Sequence, residues 1–242
     1  MKKFYFAGCS ITHGQDLTDI QKKTTSYPAL VSKHHGVEFD NDAVPAGTNQ
    51  YTVSRVLQNI NRYDKIYIQL TSPDRFTLRD PNTWHDVHFN RQLASTYHQR
   101  LDYYLTFGKY YYGFWSSTLF EFKNFLEQIV LLQAVLNQKN QLYLMWFGRS
   151  SLWSKLICDK KDFINNLSTL IDITNFDDHQ ILQQYSEIQC LHDQINLKNF
   201  MSPFDFDAEQ IMHQFPVGPT GHPLEQGHGC IADAILKFEQ IM

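Results

Sequence analysis

Apolar positions along the chain fall into two patterns, and the alternation between them predicts the architecture. Short continuous apolar runs at Phe4 to Ala7, Asp64 to Leu70 and Gln141 to Phe147 read as strands covered on both faces. Val37 to Val44 opens with period-two alternation and reads as another strand. Between these runs, apolar residues recur three and four apart, at Val53, Val56, Leu57 and Ile60 and again at Phe122, Phe125, Ile129, Leu132 and Leu136. That spacing places one apolar face on each of two helices, Thr52 to Ile60 and Ser117 to Asn137. Ser26 to His35 and Asp177 to Asp193 also read as helical, and Gly229 to Ile241 as a closing helix. A fifth strand is predicted near Leu170 to Thr174, and Asn199 to Pro219 reads as irregular. Strands separated by helices predict βαβ units, hence an α/β fold: a three-layer α/β/α sandwich with a central parallel sheet of about five strands. Residues 77–115 fit neither period and are rich in aromatics. They read as an insertion that covers or extends a site within a single domain spanning 1–242.

Charge and composition narrow the function. The 242 residues carry 21 Lys and Arg against 25 Asp and Glu, a formal net charge of −4. These are scattered without the basic stripe that a phosphate backbone requires, so nucleic acid is not an expected partner. No apolar run approaches the roughly 20 residues that span a bilayer. Lys2-Lys3 leads straight into Phe4 with no signal-peptide apolar region, which sets the expectation of a cytoplasmic protein. Cys9, Cys158, Cys190 and Cys230 form no Cys-x-x-Cys pair and read as free thiols. His85 and His88 have a metal-like spacing but only Asp86 beside them, so no metal is expected.

The candidate chemistry sits at the two ends of the chain. In Gly8-Cys9-Ser10-Ile11-Thr12-His13-Gly14, Ser10 follows the first strand where a helix opens, at the sheet edge where open α/β folds bind ligands. A serine hydroxyl is a poor nucleophile until a base takes its proton, and histidine has the pKa for that task. His222, in Gly221-His222-Pro223-Leu224-Glu225-Gln226-Gly227-His228, is the candidate base. His228 reads as structural, at the start of the closing helix.

These residues resemble the SGNH or GDSL hydrolases, esterases and lipases on a flavodoxin-like three-layer fold. Gly8-Cys9-Ser10-Ile11-Thr12 is similar to their first block with Cys9 in place of Asp, which implies Ser10 as nucleophile. Ala43-Val44-Pro45-Ala46-Gly47-Thr48-Asn49 resembles the second block and implies that the Gly47 amide serves the oxyanion hole. His222-Pro223 with Gly227-His228 resembles the last block and implies His222 as base. The resemblance implies a serine esterase with an acyl-serine intermediate and no cofactor, acting on a small ester or acylated carbohydrate. The alternative is a binding or assembly protein that keeps this fold with impaired catalysis.

Two departures from the family pattern stand out. Where the third block has Gly-x-Asn-Asp, this chain has Thr71-Ser72-Pro73-Asp74, and proline supplies no donor. Asn49 is the first candidate substitute, with Thr71 or Ser72 behind it; a turn-stabilising or helix-capping role for Asn49 is the competing reading. The family's triad acid lies three residues before its histidine, where this chain has Pro219. A backbone carbonyl, Glu225, Asp205 or Asp207 is then the candidate to orient His222. Arg75, at the end of the third strand, is a candidate for binding a substrate carboxylate or sugar, or for a surface ion pair. The Tyr110 to Trp115 cluster reads either as a substrate platform or as a homo-oligomer interface.

Overall fold

In a computed structural model of the chain, residues 2–79, 86–89, 117–147, 151–174, 176–203 and 214–241 are described, with isolated positions 206, 208 and 210. Five parallel strands form the central sheet: β1 (Lys3–Ala7), β2 (Glu38–Asn41), β3 (Lys65–Leu70), β6 (Leu142–Phe147) and β7 (Phe200–Met201). Their order across the sheet is β2-β1-β3-β6-β7. A separate antiparallel pair, β4 (Phe76–Arg79) and β5 (Asp86–Phe89), lies at the start of the aromatic insertion. Most of that insertion, including His85 and Tyr110 to Trp115, lies outside the described residues.

Side chains alternate across the sheet and so build two cores. Tyr5, Ala7, Ile66, Ile68, Leu70, Tyr143, Met145 and Phe147 face one way, against Phe122, Phe125, Leu126 and Ile129 of α5 (Thr118–Gln138). Phe4, Phe6, Tyr67, Leu144 and Trp146 face the other, against Tyr27 and Val31 of α3 (Tyr27–His35) and Ile231, Ala232 and Ile235 of α9 (Glu225–Ile241). Burial on both faces is why these strands read as continuous apolar runs. The expected three-layer α/β architecture is therefore the one present.

Polar residues set the helix boundaries. Ser26, Thr48, Ser117 and Asp177 each accept a backbone N–H from three residues on. They thereby cap α3, α4 (Asn49–Asn59), α5 and α8 (Asp178–Asp193). The other helices with defined bounds are the short α1 (Ser10–His13), α2 (Asp19–Thr24) and α6 (Ser151–Leu156), together with α7 (Lys160–Leu170).

The fifth strand is not where the sequence pattern puts it. Leu170, Ile171 and Ile173 alternate because they pack the end of α7 onto the core. Thr174 then donates its N–H and Oγ1 to Asp172 Oδ1, which makes a turn and leaves no ladder. The actual edge strand is Phe200–Met201, paired with Met145 and Trp146 inside the stretch expected to be irregular. β2 is also shorter than expected, because Ala43 N–H bonds Asn41 Oδ1. The closing helix begins at Glu225 and so takes in Gly227 and His228.

One polar cluster ties the closing helix to the sheet. Glu239 Oε1 accepts from Lys65 Nζ at 2.5 Å and from Tyr67 OH at 2.7 Å, while its Oε2 lies 2.9 Å from His35 Nε2. Burial works against the charged carboxylate, but the bonds from Lys65 and Tyr67 outweigh it and hold the Glu239 pKa below the usual range. A depressed folded-state pKa stabilises the protein fully above the unfolded value, about 4.3 for Glu, and that stability is lost as the pH falls through the folded value. Glu239→Gln should therefore cost about 1.5–3 kcal/mol at neutral pH. In urea unfolding the gap to wild type should narrow progressively as the pH is taken below about 4; a gap that does not change with acid would contradict the assignment.

Candidate active site

The chain runs from β1 to the outer strand β2 and then crosses back to β3, so the strand order reverses between β1 and β3. Open α/β sheets leave a crevice at the carboxyl edge at such a switch point. Ser10 is the first residue of α1, three residues beyond the end of β1. The turn before it is pinned to β3. Gln69 Oε1 accepts from Thr12 N at 3.2 Å and Thr12 Oγ1 at 2.5 Å, and Gln69 Nε2 donates to Cys9 Sγ at 3.2 Å. Because Thr12 gives its hydroxyl proton to an acceptor-only oxygen, Tyr27 OH, 2.7 Å away, donates to Thr12 Oγ1. Gly8 fits only because it has no side chain: a Cβ there would lie 2.4 Å from Thr12 Oγ1 and 2.8 Å from Gln69 Cβ.

His222 arrives on a tight loop that precedes α9. Val217 bridges Pro223, and Gly218 N–H bonds His222 O at 2.9 Å, which closes the loop on itself. Its Nε2 lies 2.7 Å from Ser10 Oγ, across 212 positions of sequence. Burial, opposed by the negative charge of Asp16 and reinforced by the Arg75 guanidinium, lowers the His222 pKa from its ordinary value. The ring is thus neutral at neutral pH and presents a lone pair.

No protein-family model matches the sequence, and no curated protein matches it. Among solved structures, the chain is similar to a psychrotrophic esterase from Pseudoalteromonas sp. that was inhibited by monoethylphosphonate. Identity is 10% and TM-score 0.49, with 99% of this chain and 97% of that one covered. It is also similar to a G-D-S-L family lipolytic protein from Desulfitobacterium hafniense, at 9% identity and TM-score 0.47 over 98% and 99% of the chains. An acetylxylan esterase from Geobacillus stearothermophilus aligns at 14% identity and TM-score 0.45 over 98% and 93%.

The other expected site residues take different places. The Gly47 N–H, assigned by resemblance to the oxyanion hole, bonds Val44 O at 3.0 Å and closes a turn in which Ala46 has φ 58°. Asn49 is buried at the start of α4, and its amide grips the Thr71 backbone, with Nδ2 to Thr71 O at 2.9 Å and Thr71 N to Oδ1 at 2.8 Å. It therefore clamps the exit of β3, and among the described residues its second Nδ2 hydrogen has no partner. Ser72 Oγ donates to Asp74 Oδ1. Arg75 Nε and Nη1 are shielded from water with no hydrogen-bond partner, and no ion pair of Arg75 is found among the described residues.

Of the candidate acids, Glu225 is engaged elsewhere, accepting from Gln21 Nε2 at 3.1 Å and Thr25 Oγ1 at 3.3 Å. Asp205 and Asp207 lie outside the described residues. The carboxylate beside His222 belongs instead to Asp16, which sequence reasoning passed over. Asp16 Oδ2 accepts from Thr220 N at 3.0 Å, Thr220 Oγ1 at 2.8 Å and His222 N at 3.3 Å. Its one sequence signal is an acid just past the turn at Gly14, and nothing there names a partner some 200 positions away. His228 is buried at the start of α9, its Nδ1 accepting from Tyr27 N at 3.3 Å, and burial pushes it down to about 4. It stays neutral and structural.

Gly8→Ala should destabilise the protein by about 1–3 kcal/mol, because the added methyl overpacks Thr12 and Gln69. Gly229, inside α9 with nothing within 4 Å of a Cβ, is the control. Gly229→Ala should raise stability by about 0.5–1 kcal/mol. Chemical unfolding of the two variants checks both signs; a neutral Gly8→Ala would mean that the turn is looser than described.

Proposed function

We propose that the chain is a serine ester hydrolase working through an acyl-serine intermediate. The observation that carries this reading is the 2.7 Å contact between Ser10 Oγ and His222 Nε2 at the carboxyl edge of the sheet. The distance is within the reach required of a nucleophile and its general base.

In this scheme His222 Nε2 takes the hydroxyl proton as Ser10 Oγ attacks the ester carbonyl carbon. The tetrahedral intermediate collapses, the bond to the alcohol oxygen breaks, and His222 returns the proton to the departing alcohol. Water then attacks the acyl-serine with His222 again as base, releasing the acid and restoring Ser10. The developing oxyanion needs fixed donors. The Ser10 N–H, at the first position of α1 and without an intrahelical partner, is one, and the spare Nδ2 hydrogen of Asn49 is the other. The substrate is a small ester or an acylated carbohydrate. Arg75 Nε and Nη1, shielded and without a partner, support a substrate that brings an acceptor oxygen, such as a carboxylate or a sugar hydroxyl, because shielded donors are costly without one.

One observation favours the second reading, a binding protein with impaired catalysis: the Gly47 N–H is held by its own turn. Hydrolysis of a short-chain aryl ester separates the two. Wild type should turn over, Ser10→Ala should lose at least about a thousandfold in kcat, and a serine-directed phosphonate should add to Ser10. No Ser10-dependent turnover and no adduct would leave the binding reading. A second prediction concerns pH. Because His222 acts unprotonated and its pKa is lowered, kcat/KM should rise with pH along a limb centred below the ordinary histidine value of about 6.5. A limb centred above 7 would contradict the base assignment.

A further inference from the structure

We propose that Asp16, acting through the Thr220 hydroxyl, positions His222 and fixes its tautomer, in place of a triad acid near the histidine in sequence. The inference rests on the hydrolase reading for its catalytic meaning, but the geometry behind it is independent of any substrate. Asp16 Oδ2 and His222 Nδ1 are 3.9 Å apart, too far for a hydrogen bond. Thr220 Oγ1 lies between them, 2.8 Å from the carboxylate and 2.9 Å from the imidazole nitrogen.

Proton accounting then leaves one arrangement. An ionised carboxylate only accepts, so the single hydroxyl proton of Thr220 points to Asp16 Oδ2. Thr220 Oγ1 faces Gln15 Nε2 and His222 Nδ1 with its lone pairs, and Gln15 Nε2 donates to it at 3.1 Å. His222 Nδ1 must therefore carry a hydrogen and donate as well. That leaves Nε2 bare, and it is Nε2 that faces Ser10 Oγ. The tautomer a general base requires is held by one carboxylate passed through one hydroxyl, with a hydrogen bond from the ring to the Thr220 backbone acting in the same direction. When His222 takes the serine proton, the same chain sets a negative charge near the new imidazolium.

The carboxylate is kept ionised and in place. Burial raises the Asp16 pKa, but hydrogen bonds from the Thr220 side chain and backbone and from the His222 backbone hold it below the usual carboxylate range. Asp16 adopts a left-handed backbone, φ 71°, two residues beyond the left-handed cap at Gly14. Gly218 makes room for it, since a Cβ at that position would sit 2.3 Å from Asp16 Cβ. The other ionisable groups that act on His222 are Arg75, from the end of β3, and neutral His228 in α9.

A merely structural clasp would hold the loop without setting the tautomer, and two variants separate the roles. Thr220→Val removes the hydroxyl but keeps the backbone bonds to Asp16. Asp16→Asn removes the charge but keeps an acceptor. The tautomer and titration of His222 are read by nitrogen-15 NMR of histidine-labelled resting protein, with the resonance assigned against His222→Gln. Wild type should show hydrogen on Nδ1. Thr220→Val should shift the population toward hydrogen on Nε2 and lower kcat/KM about a hundredfold or more, and Thr220→Ser should recover most of both. Asp16→Asn should lower the His222 pKa further. A Thr220→Val protein that keeps the wild-type tautomer, or an Asp16→Asn protein whose His222 titrates like wild type, overturns the proposal. If Asp16→Asn fails to fold, Thr220→Val decides alone. Because the NMR readout needs no ester, a protein without Ser10-dependent turnover would sink the hydrolase reading and leave this result standing.

Discussion

Parallel pairing of β1 with β3 is the constraint from which the site grows. It sets Phe6 opposite Tyr67, and their rings stack with centroids 4.6 Å apart. With that register fixed, Gln69 at the end of β3 comes level with the turn beyond β1 and takes hold of Thr12 and Cys9. The serine is thus held by the neighbouring strand as well as by its own. A slip of one residue in this pair would turn Gln69 to the opposite face and release the turn.

The histidine is placed by a separate set of forces. Apolar burial of Ile231, Ala232 and Ile235 docks α9 on the face that Tyr27 and Val31 cover, and the Glu239 cluster secures its far end to Lys65, Tyr67 and His35. The loop ahead of α9 is then drawn onto the serine turn by Asp16. Non-directional packing brings the helix to the sheet, and directional hydrogen bonds settle the last few ångströms. A buried histidine, His228, joins the two by bonding Tyr27, whose hydroxyl contacts Thr12 beside the serine.

Much of the fold was legible because strands buried on both faces leave uninterrupted apolar runs. β1, β3 and β6 stand out in the chain, and α5 follows from its spacing of three and four. β7 was not legible: two paired residues, Phe200 and Met201, are too few to show a period. Ile171 and Ile173 misled for the opposite reason, since a helix end that packs on a core can alternate like a strand. In the site, Ser10 and His222 could be named because each lies in a local motif. The relation of Asp16 to Thr220 and His222 exists only in three dimensions, and a single sequence carries no mark of it. The same limit explains Gly47 and Asn49, whose hydrogen-bonding groups face partners that local pattern does not reveal.

The 212 positions that separate Ser10 from His222 have a consequence for how the protein comes into being. During synthesis the serine turn can be complete, strapped by Gln69 and ready in shape, while the imidazole that would activate it is still unmade. If the chain is the hydrolase proposed above, chemical competence then arrives in one step, when the final helix settles against the sheet. On the hydrolase reading, a fragment that ends before His222 would hold a nucleophile without its base. On that reading such a chain would be inert until whole, and its reactivity would report completion of the fold.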